Sequence, residues 1–147
     1  IEDAEIEMPS ANQIEIHPWH IIPQPLDEYM KNNDILPIAY STLAPIPNWR
    51  EGSKWNGKPE DMKSGAMPCK DIADKYEVTV PQLFLKWSIQ LGYPVLPKSV
   101  KFHRLKENLD LDNFEISNED LNIISNIAIN DQKCLAWSGD FDPLEVE

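Results

Sequence analysis

The chain has 147 residues, of which 41% are hydrophobic and 26% charged, a balance typical of a globular domain with a hydrophobic core. Its formal net charge of -12 argues against binding to nucleic-acid phosphates or to anionic membrane surfaces. No apolar run approaches the roughly 20 residues that span a bilayer, and no signal peptide is visible, so we expect a cytoplasmic protein.

In chain order, apolar and polar residues first alternate over residues 12–16, which predicts a strand with two unlike faces. A short helix is predicted over residues 25–32, where apolar side chains recur at helical spacing. Residues 36–40 are short and apolar, as buried parallel strands are. Residues 44–66 are rich in proline and glycine, which predicts a long loop that is either functional or disordered.

The central part of the sequence predicts two helices and a third strand. The first helix covers residues 69–76. Thr79 and Gln82 have the spacing of a capping box, so a second, strongly apolar helix is predicted to begin there and to end at Gly92. Residues 93–96 are predicted to form the third strand.

The last part of the sequence predicts two more helices and an irregular tail. A basic turn and short helix occupy residues 98–109, and Ser117 is predicted to cap the final helix, with Asp120 at the third position. Strands that alternate with helices predict an α/β fold of parallel βα units. Three such units cannot close a barrel, so the edges of the sheet would need a covering partner.

Basic residues concentrate directly after the third predicted strand. Lys98, Lys101, Arg104 and Lys106 place four of the 13 basic residues within a short stretch that holds no acidic residue. A helix N-terminus that follows a strand favours an anion, because its N–H groups and dipole are positive there. This pattern predicts a phosphate site, and a solvated helix face is the alternative.

The spacing of residues in this basic segment also carries a resemblance to a known family. Lys98, Ser99, Arg104, Glu107 and Asn108 read K-S-x4-R-x2-E-N, which resembles the cofactor signature of the aldo-keto reductase family.

Further motifs follow in the order that this family has them. Residues 12–18 read N-Q-I-E-I-H-P and resemble its sixth barrel strand, and residues 39–43 read A-Y-S-T-L and resemble its seventh. Residues 79–82 and 96–99 resemble its seventh helix and eighth strand. The resemblance implies that residues 1–147 form an incomplete (β/α)8 TIM barrel, the C-terminal part with three parallel strands and their helices.

The resemblance implies that the chain binds NADP(H) rather than NAD(H). Gln13 would hydrogen-bond the nicotinamide carboxamide, and Tyr40 would stack on the nicotinamide ring. The pyrophosphate would lie at Ser41 and Leu43, the 2′-phosphate at Lys98, Ser99, Val100 and Arg104, and the adenine at Glu107 and Asn108. Each residue also has an ordinary structural interpretation, such as a core aromatic for Tyr40 or a surface position for Glu107.

Two segments would complete the site. The loop 44–66 corresponds to the segment that folds over the pyrophosphate, and the tail 130–147 to the one that shapes the substrate pocket. Trp49, Trp55 and Trp137 are candidates for lining that pocket, and a surface or core position is the alternative for each.

The implied activity is reduction of a small aldehyde or ketone to an alcohol by hydride transfer. In the family, a tyrosine donates the proton, helped by a lysine, an aspartate and a histidine on the first four strands and their loops. We therefore assign no catalytic residue to this chain, and we expect it to be inactive without the N-terminal part of the barrel. The alternative is a non-catalytic half-barrel that self-associates or serves as an interaction module.

The remaining cysteines and histidines predict no metal site. Cys69 and Cys134 are far apart and are interpreted as reduced thiols of a cytosolic protein, with a disulfide as the alternative. His17 and His20 are three residues apart, but nothing nearby completes a set of ligands.

Overall fold

A computed structural model describes residues 7–46, 69–132 and 134–135. Its helices and its first two strands follow one another in the predicted order. In chain order they are β1 (Ala11–Glu15), α1 (Gln24–Asn32), β2 (Leu36–Tyr40), α2 (Lys70–Lys75), α3 (Val80–Gln90), α4 (Phe102–Leu109) and α5 (Asn118–Asp131). No described helix combines the length and the apolar content that crossing a bilayer demands.

The sheet is smaller than the three parallel strands that we expected. β1 and β2 pair in parallel, but the predicted strand at residues 93–96 makes only an isolated parallel bridge between Val95 and Ala39. The N–H of Ala39 donates to the carbonyl of Pro94 at 2.7 Å, and the N–H of Leu96 donates to the carbonyl of Ala39 at 3.1 Å. The prediction of a full third strand is wrong because Pro94, whose main chain faces β2, has no N–H with which to extend the ladder.

Both predicted N-terminal caps are confirmed. Thr79 Oγ1 accepts from the N–H of Gln82 at 3.3 Å, and Gln82 Oε1 accepts from the N–H of Thr79 at 3.0 Å, which completes the capping box of α3. At α5, Ser117 Oγ accepts from the N–H of Asp120 at 3.2 Å. These bonds satisfy N–H groups that the first turn of each helix cannot bond internally.

Three helices end in the same way, with a residue in the left-handed region. The residue after the cap is Asp34 for α1 (φ 55°), Glu77 for α2 (φ 57°) and Gly92 for α3 (φ 92°). After α3, the N–H of Tyr93 donates to Ser88 at 3.0 Å and that of Gly92 to Ile89 at 2.9 Å, the two bonds of a Schellman motif. The predicted end of this helix at Gly92 is therefore confirmed.

The core is a single cluster that includes residues of α3 and of β1. Its most buried side chains come from α3, from β1 and the turn that follows β1, and from α5; they include Ile14, Ile16, Trp19, Leu83, Phe84, Trp87 and Ile124. The first half of β1 differs from the second, because Ala11, Asn12 and Gln13 are exposed whereas Ile14 and Glu15 are buried. Among the described residues, no strand pairs with the edge of β1 that faces away from β2.

Candidate functional site

The carboxyl ends of β1 and β2 lie side by side and carry the predicted nicotinamide residues. In the parallel register, Gln13 lies opposite Ile38 and Glu15 opposite Tyr40. Because side chains alternate between the faces of a sheet, Gln13, Glu15 and Tyr40 share one face. Gln13 is exposed and Tyr40 half-buried.

A tight turn leaves β2 at the residues predicted to hold the pyrophosphate. Ser41 has a φ of 56°, a left-handed conformation that costs a residue other than glycine about 1–2 kcal/mol. The N–H of Ala44 then donates to the carbonyl of Ser41 at 2.8 Å, and the N–H of Ile46 to that of Leu43 at 3.1 Å. The turn therefore holds the backbone of Ser41 to Leu43 in a fixed shape beside the end of the strand.

Thr42, in the middle of this turn, carries an orphaned polar group. The residue is 4% exposed, and its Oγ1 has no hydrogen-bond partner within the described part of the chain. A buried hydroxyl left in that state costs about 1–3 kcal/mol. A polar ligand bound at the turn would remove this cost.

The bridge between Val95 and Ala39 brings the basic segment close to the carboxyl end of β2. Ser99 Oγ accepts from the N–H of Lys101 at 3.1 Å, which turns the chain into α4. No side-chain hydrogen bond from the described residues caps α4 at Lys101. Its first N–H groups can therefore bind an anion.

Three cations of this segment have no acidic partner among the residues that the structure describes. No ion pair between described residues involves Lys98, Lys101 or Arg104, whose side chains are exposed. Lys106 differs, because its Nζ lies 5.0 Å from the centre of the Phe102 ring. Unpaired cations in a chain with a net charge of -12 favour an anionic ligand over a mixed-charge surface.

The helical geometry of α4 brings the predicted adenine residues next to the predicted phosphate residue. Arg104, Glu107 and Asn108 are spaced at i, i+3 and i+4 within this helix and therefore share a face. Glu107 and Asn108 are half-buried, whereas Val100, just before the helix, is 82% exposed. The predicted substrate-pocket residues Trp49, Trp55 and Trp137 lie outside the described residues, as do most of the loop 44–66 and the end of the tail.

Our sequence analysis missed a buried polar cluster at the end of β1. Glu15 is 2% exposed and His17 is fully buried. The N–H of Trp19 donates to His17 Nδ1 at 3.2 Å, so the neutral imidazole carries its proton on Nε2 and donates it to Glu15 Oε1 at 2.8 Å. His20 Nδ1 lies 2.8 Å from the carbonyl oxygen of Glu15.

Contacts within this cluster determine the charges of Glu15 and His17. Burial lowers the pKa of His17, and the nearby Glu15 carboxylate offsets this only in part. Burial alone would raise the pKa of Glu15, but hydrogen bonds from His17, Cys134 and Leu135 outweigh it and hold this pKa below its usual value. At neutral pH we therefore describe an ionised Glu15 beside a neutral His17.

The same carboxylate binds the C-terminal part of the chain. Glu15 Oε1 accepts from the N–H of Leu135 at 2.6 Å, and Oε2 accepts from Cys134 Sγ at 3.1 Å. A charged residue within the alternating strand was all that the sequence offered as a signal for such a contact. Leu135 could not be recognised in the sequence as the partner, since every residue except proline carries a backbone N–H.

The other reactive groups point to no second site. Cys69 and Cys134 are not joined by a disulfide, and burial raises the pKa of the Cys69 thiol to about 11. Within residues 7–46, 69–132 and 134–135, no group of three His, Cys, Asp or Glu side chains could hold a metal ion.

Comparisons with known proteins extend these observations. The sequence model of the Aldo/keto reductase family matches residues 1–129. Glyoxal reductase of Bacillus subtilis is 35% identical over 124 residues, covering 84% of this chain and 39% of that protein. NADP-dependent D-sorbitol-6-phosphate dehydrogenase of Malus domestica is 34% identical over 124 residues, covering 81% of this chain and 36% of that protein.

A solved structure shows the same relationship. Bombyx mori aldo-keto reductase, in complex with NADP, matches with a TM-score of 0.68 and 26% identity, covering 85% of this chain and 39% of that one. The chain thus spans 36% and 39% of the two curated relatives described above. This coverage agrees with a partial barrel.

Proposed function

The chain belongs to the aldo/keto reductase family, and on that premise we propose that it supplies the cofactor-binding part of an NADP(H)-dependent reductase. The enzyme converts a small aldehyde or ketone to an alcohol. The observation that carries this proposal concerns Lys98 and Arg104, which pair with no acidic residue in the described part of the chain. Both lie next to the start of α4, which no described side chain caps. One relative named as NADP-dependent and another named as NAD(P)H-dependent support it.

The residues present fit NADP(H). Lys98 and Arg104 offer charge for the 2′-phosphate, with Ser99 and the backbone of Val100 beside them. The turn at Ser41 and Leu43 suits the pyrophosphate, and the orphaned hydroxyl of Thr42 in that turn would gain a partner.

The chain's own residues orient the reacting ring. The Gln13 amide would hold the nicotinamide carboxamide and the Tyr40 ring would cover one face, so the opposite face meets the substrate. When bound, the cofactor supplies the hydride. Glu107 and Asn108 fix the far end of the molecule at the adenine, which limits its rotation.

The proton donor comes, in this proposal, from polypeptide outside residues 1–147. Two of the described tyrosines, Tyr76 and Tyr93, are poorly suited to the task. Burial and the carboxylate of Asp27 raise the pKa of Tyr93 to about 12, and the hydroxyl of Tyr76 donates to Asp120. The limited coverage of the relatives supports a further part of the barrel.

We also propose that the loop 44–66 covers the pyrophosphate and that the tail 130–147 forms the substrate side of the site. Trp49, Trp55 and Trp137 would then provide aromatic surface around the substrate. A cytoplasmic location fits two cysteines that form no disulfide.

The experiment compares the 147-residue chain with the complete enzyme that contains it. We expect the complete enzyme to oxidise NADPH when a reactive aldehyde is present, and the chain alone to show no turnover. Turnover by the chain at the rate of the complete enzyme would contradict our proposal that the proton donor lies outside residues 1–147. A complete enzyme that binds NADPH no better than NADH would contradict the proposed cofactor.

A second candidate function is a non-catalytic half-barrel that self-associates. The edge of β1 with no strand on it among the described residues, and the exposed apolar residues Val100, Phe102 and Leu109, favour this alternative. Sedimentation of the isolated chain distinguishes the two. A soluble dimer that unfolds cooperatively supports the alternative, whereas an aggregating chain supports the partial enzyme.

A further inference from the structure

A buried carboxylate lies beside the two residues proposed to hold the nicotinamide. Glu15 is 2% exposed and is paired in register with Tyr40, and neighbouring strands lie about 4.8 Å apart. Along β1, Glu15 follows Gln13 by two residues, or roughly 6.6 Å, on the same face of the sheet. Its carboxylate is therefore close to the space between the Gln13 amide and the Tyr40 ring.

The groups around this carboxylate hold it in its ionised form. The N–H of Trp19 bonds to His17 Nδ1, so the proton of the neutral imidazole is on Nε2 and is donated to Glu15 Oε1 at 2.8 Å. The N–H of Leu135 donates to the same oxygen at 2.6 Å, and the Cys134 thiol donates to Oε2 at 3.1 Å. Burial alone would raise the pKa of Glu15, but these bonds, which are stronger to a charged acceptor, hold this pKa below its usual value.

Burial also lets the charge of Glu15 act over several ångströms. Water and salt ions screen the field of an exposed carboxylate, whereas a buried charge is screened much less. The donors described above do not cancel the charge, because they are a backbone amide, a thiol and an imidazole that burial keeps neutral. The negative charge of Glu15 therefore contributes to the electrostatic potential beside Gln13 and Tyr40.

The two redox forms of the proposed cofactor differ in charge at the ring that these two residues would hold. The nicotinamide ring of NADP⁺ carries one positive charge, whereas the dihydronicotinamide ring of NADPH is neutral, and the phosphates of the two forms are the same. A fixed negative charge nearby favours the oxidised form by Coulomb attraction and has little effect on the reduced form. A residue that only shapes the site would affect the two forms equally.

We propose that Glu15 sets the balance between the two redox forms of the dinucleotide, because its buried negative charge selectively strengthens the binding of NADP⁺. The inference rests on the proposed function, since it requires a nicotinamide between Gln13 and Tyr40. Glu15 does not contact the cofactor in this assignment, and it acts on the ring through its electric field.

The test measures the Kd of NADP⁺ and of NADPH by titration calorimetry of the complete enzyme and of three variants. Glu15→Gln removes the charge and nearly keeps the shape, and Glu15→Asp keeps the charge. Glu28→Gln is the matched control, because it makes the same change of charge at an exposed residue of α1. We expect Glu15→Gln to weaken NADP⁺ about ten-fold relative to NADPH, for two charges at an effective dielectric constant of about 20. Glu15→Asp and Glu28→Gln should keep the wild-type ratio of the two Kd values within about three-fold.

The ratio of the two Kd values separates a role of charge from a role in shape. An unchanged ratio in Glu15→Gln would overturn the proposal, even if both Kd values rose, because equal weakening indicates a structural role. A fall of about ten-fold in Glu15→Asp would also overturn it, and this variant decides alone if Glu15→Gln does not fold. A wild-type enzyme that binds neither form would contradict the proposed function together with this inference, whereas tight binding of both forms with an unchanged ratio would contradict this inference alone.

Discussion

Ala39 of β2 bonds through both its N–H and its carbonyl to the segment around Val95, donating to Pro94 at 2.7 Å and accepting from Leu96 at 3.1 Å. This pair of bonds fixes where the basic segment leaves the sheet, because Lys98 follows Val95 by three residues. One strand, β2, is thus bonded both to β1, which carries Gln13, and to the segment that carries Lys98. β2 therefore positions both the residues proposed to contact the nicotinamide and those proposed to contact the phosphate.

Arg104 is expected to discriminate between the two dinucleotides. In the complete enzyme, Arg104→Leu should weaken NADPH by about 1.5–3 kcal/mol, or one to two decades in Kd, because a charged hydrogen bond to the 2′-phosphate is lost. NADH, which lacks that phosphate, should bind as before. Titration calorimetry with both cofactors measures the difference.

Lys106→Met is the matched control, since it removes one positive charge from the same helix but from a side chain that stacks on Phe102. An equal loss for both cofactors would refute the assignment of Arg104.

Thr42→Val should separate stability from cofactor binding. Removal of a buried hydroxyl without a partner should stabilise the cofactor-free enzyme by about 1–3 kcal/mol, since valine has nearly the same shape. The same change should weaken NADPH if the hydroxyl meets the pyrophosphate. Denaturant midpoints with and without NADPH test both statements. Thr79→Val serves as the control, because it removes a hydroxyl that caps α3 and should destabilise by about 1 kcal/mol. A destabilised Thr42→Val enzyme would mean that this hydroxyl has a partner after all.

Glu77→Gly should stabilise the protein although it removes a side chain. Glu77 closes α2 with a φ of 57°, where a Cβ costs about 1–2 kcal/mol, and part of this gain is lost again because glycine is more flexible when unfolded. We expect a net gain of about 0.5–1 kcal/mol in the free energy of unfolding. Gly92→Ala is the converse experiment, because it adds a Cβ to a residue with a positive φ. Nothing lies within 4 Å of the added Cβ, so the loss in the free energy of unfolding measures the cost of the backbone conformation alone. A loss of stability in Glu77→Gly would show that the left-handed region is not strained there.

Asp120 should contribute a pH-dependent part of the stability. Hydrogen bonds from Lys75, Tyr76 and Ser117 lower the pKa of its carboxyl. A carboxyl whose pKa is lower in the folded state stabilises fully above its unfolded pKa, about 3.9, and this stabilisation disappears as the pH falls through the folded value. Asp120→Asn should therefore be less stable than the wild type at pH 7, with a difference that shrinks below about pH 4. Unfolding by urea across this range provides the comparison, and parallel curves for the two proteins would contradict it.

Local signals in the sequence were sufficient to predict the helices and where several of them begin or end. The capping box of Thr79 and Gln82, the cap at Ser117 and the stop at Gly92 depend on residues a few positions apart, so a linear pattern contains them fully. The strand at residues 93–96 was overestimated, since its apolar content outweighed Pro94 within it in our interpretation. The family resemblance identified the chain correctly over most of its length.

What the sequence could not provide is contact between distant positions. Glu15 was readable only as a polar residue in an alternating strand, and its bond to Leu135 depends on how the whole fold brings the tail back to β1. The orphaned hydroxyl of Thr42 was equally hidden, because burial is set by packing around the turn.

The bond between Glu15 and Leu135 also has a kinetic consequence. It closes a loop of 120 residues, and the entropy lost on closing so long a loop is recovered only after the intervening elements have formed. Such a contact is expected to be absent from the transition state for folding. Weakening it should therefore leave the refolding rate almost unchanged and accelerate unfolding, so that the lifetime of the native protein, more than its speed of formation, depends on a single carboxylate.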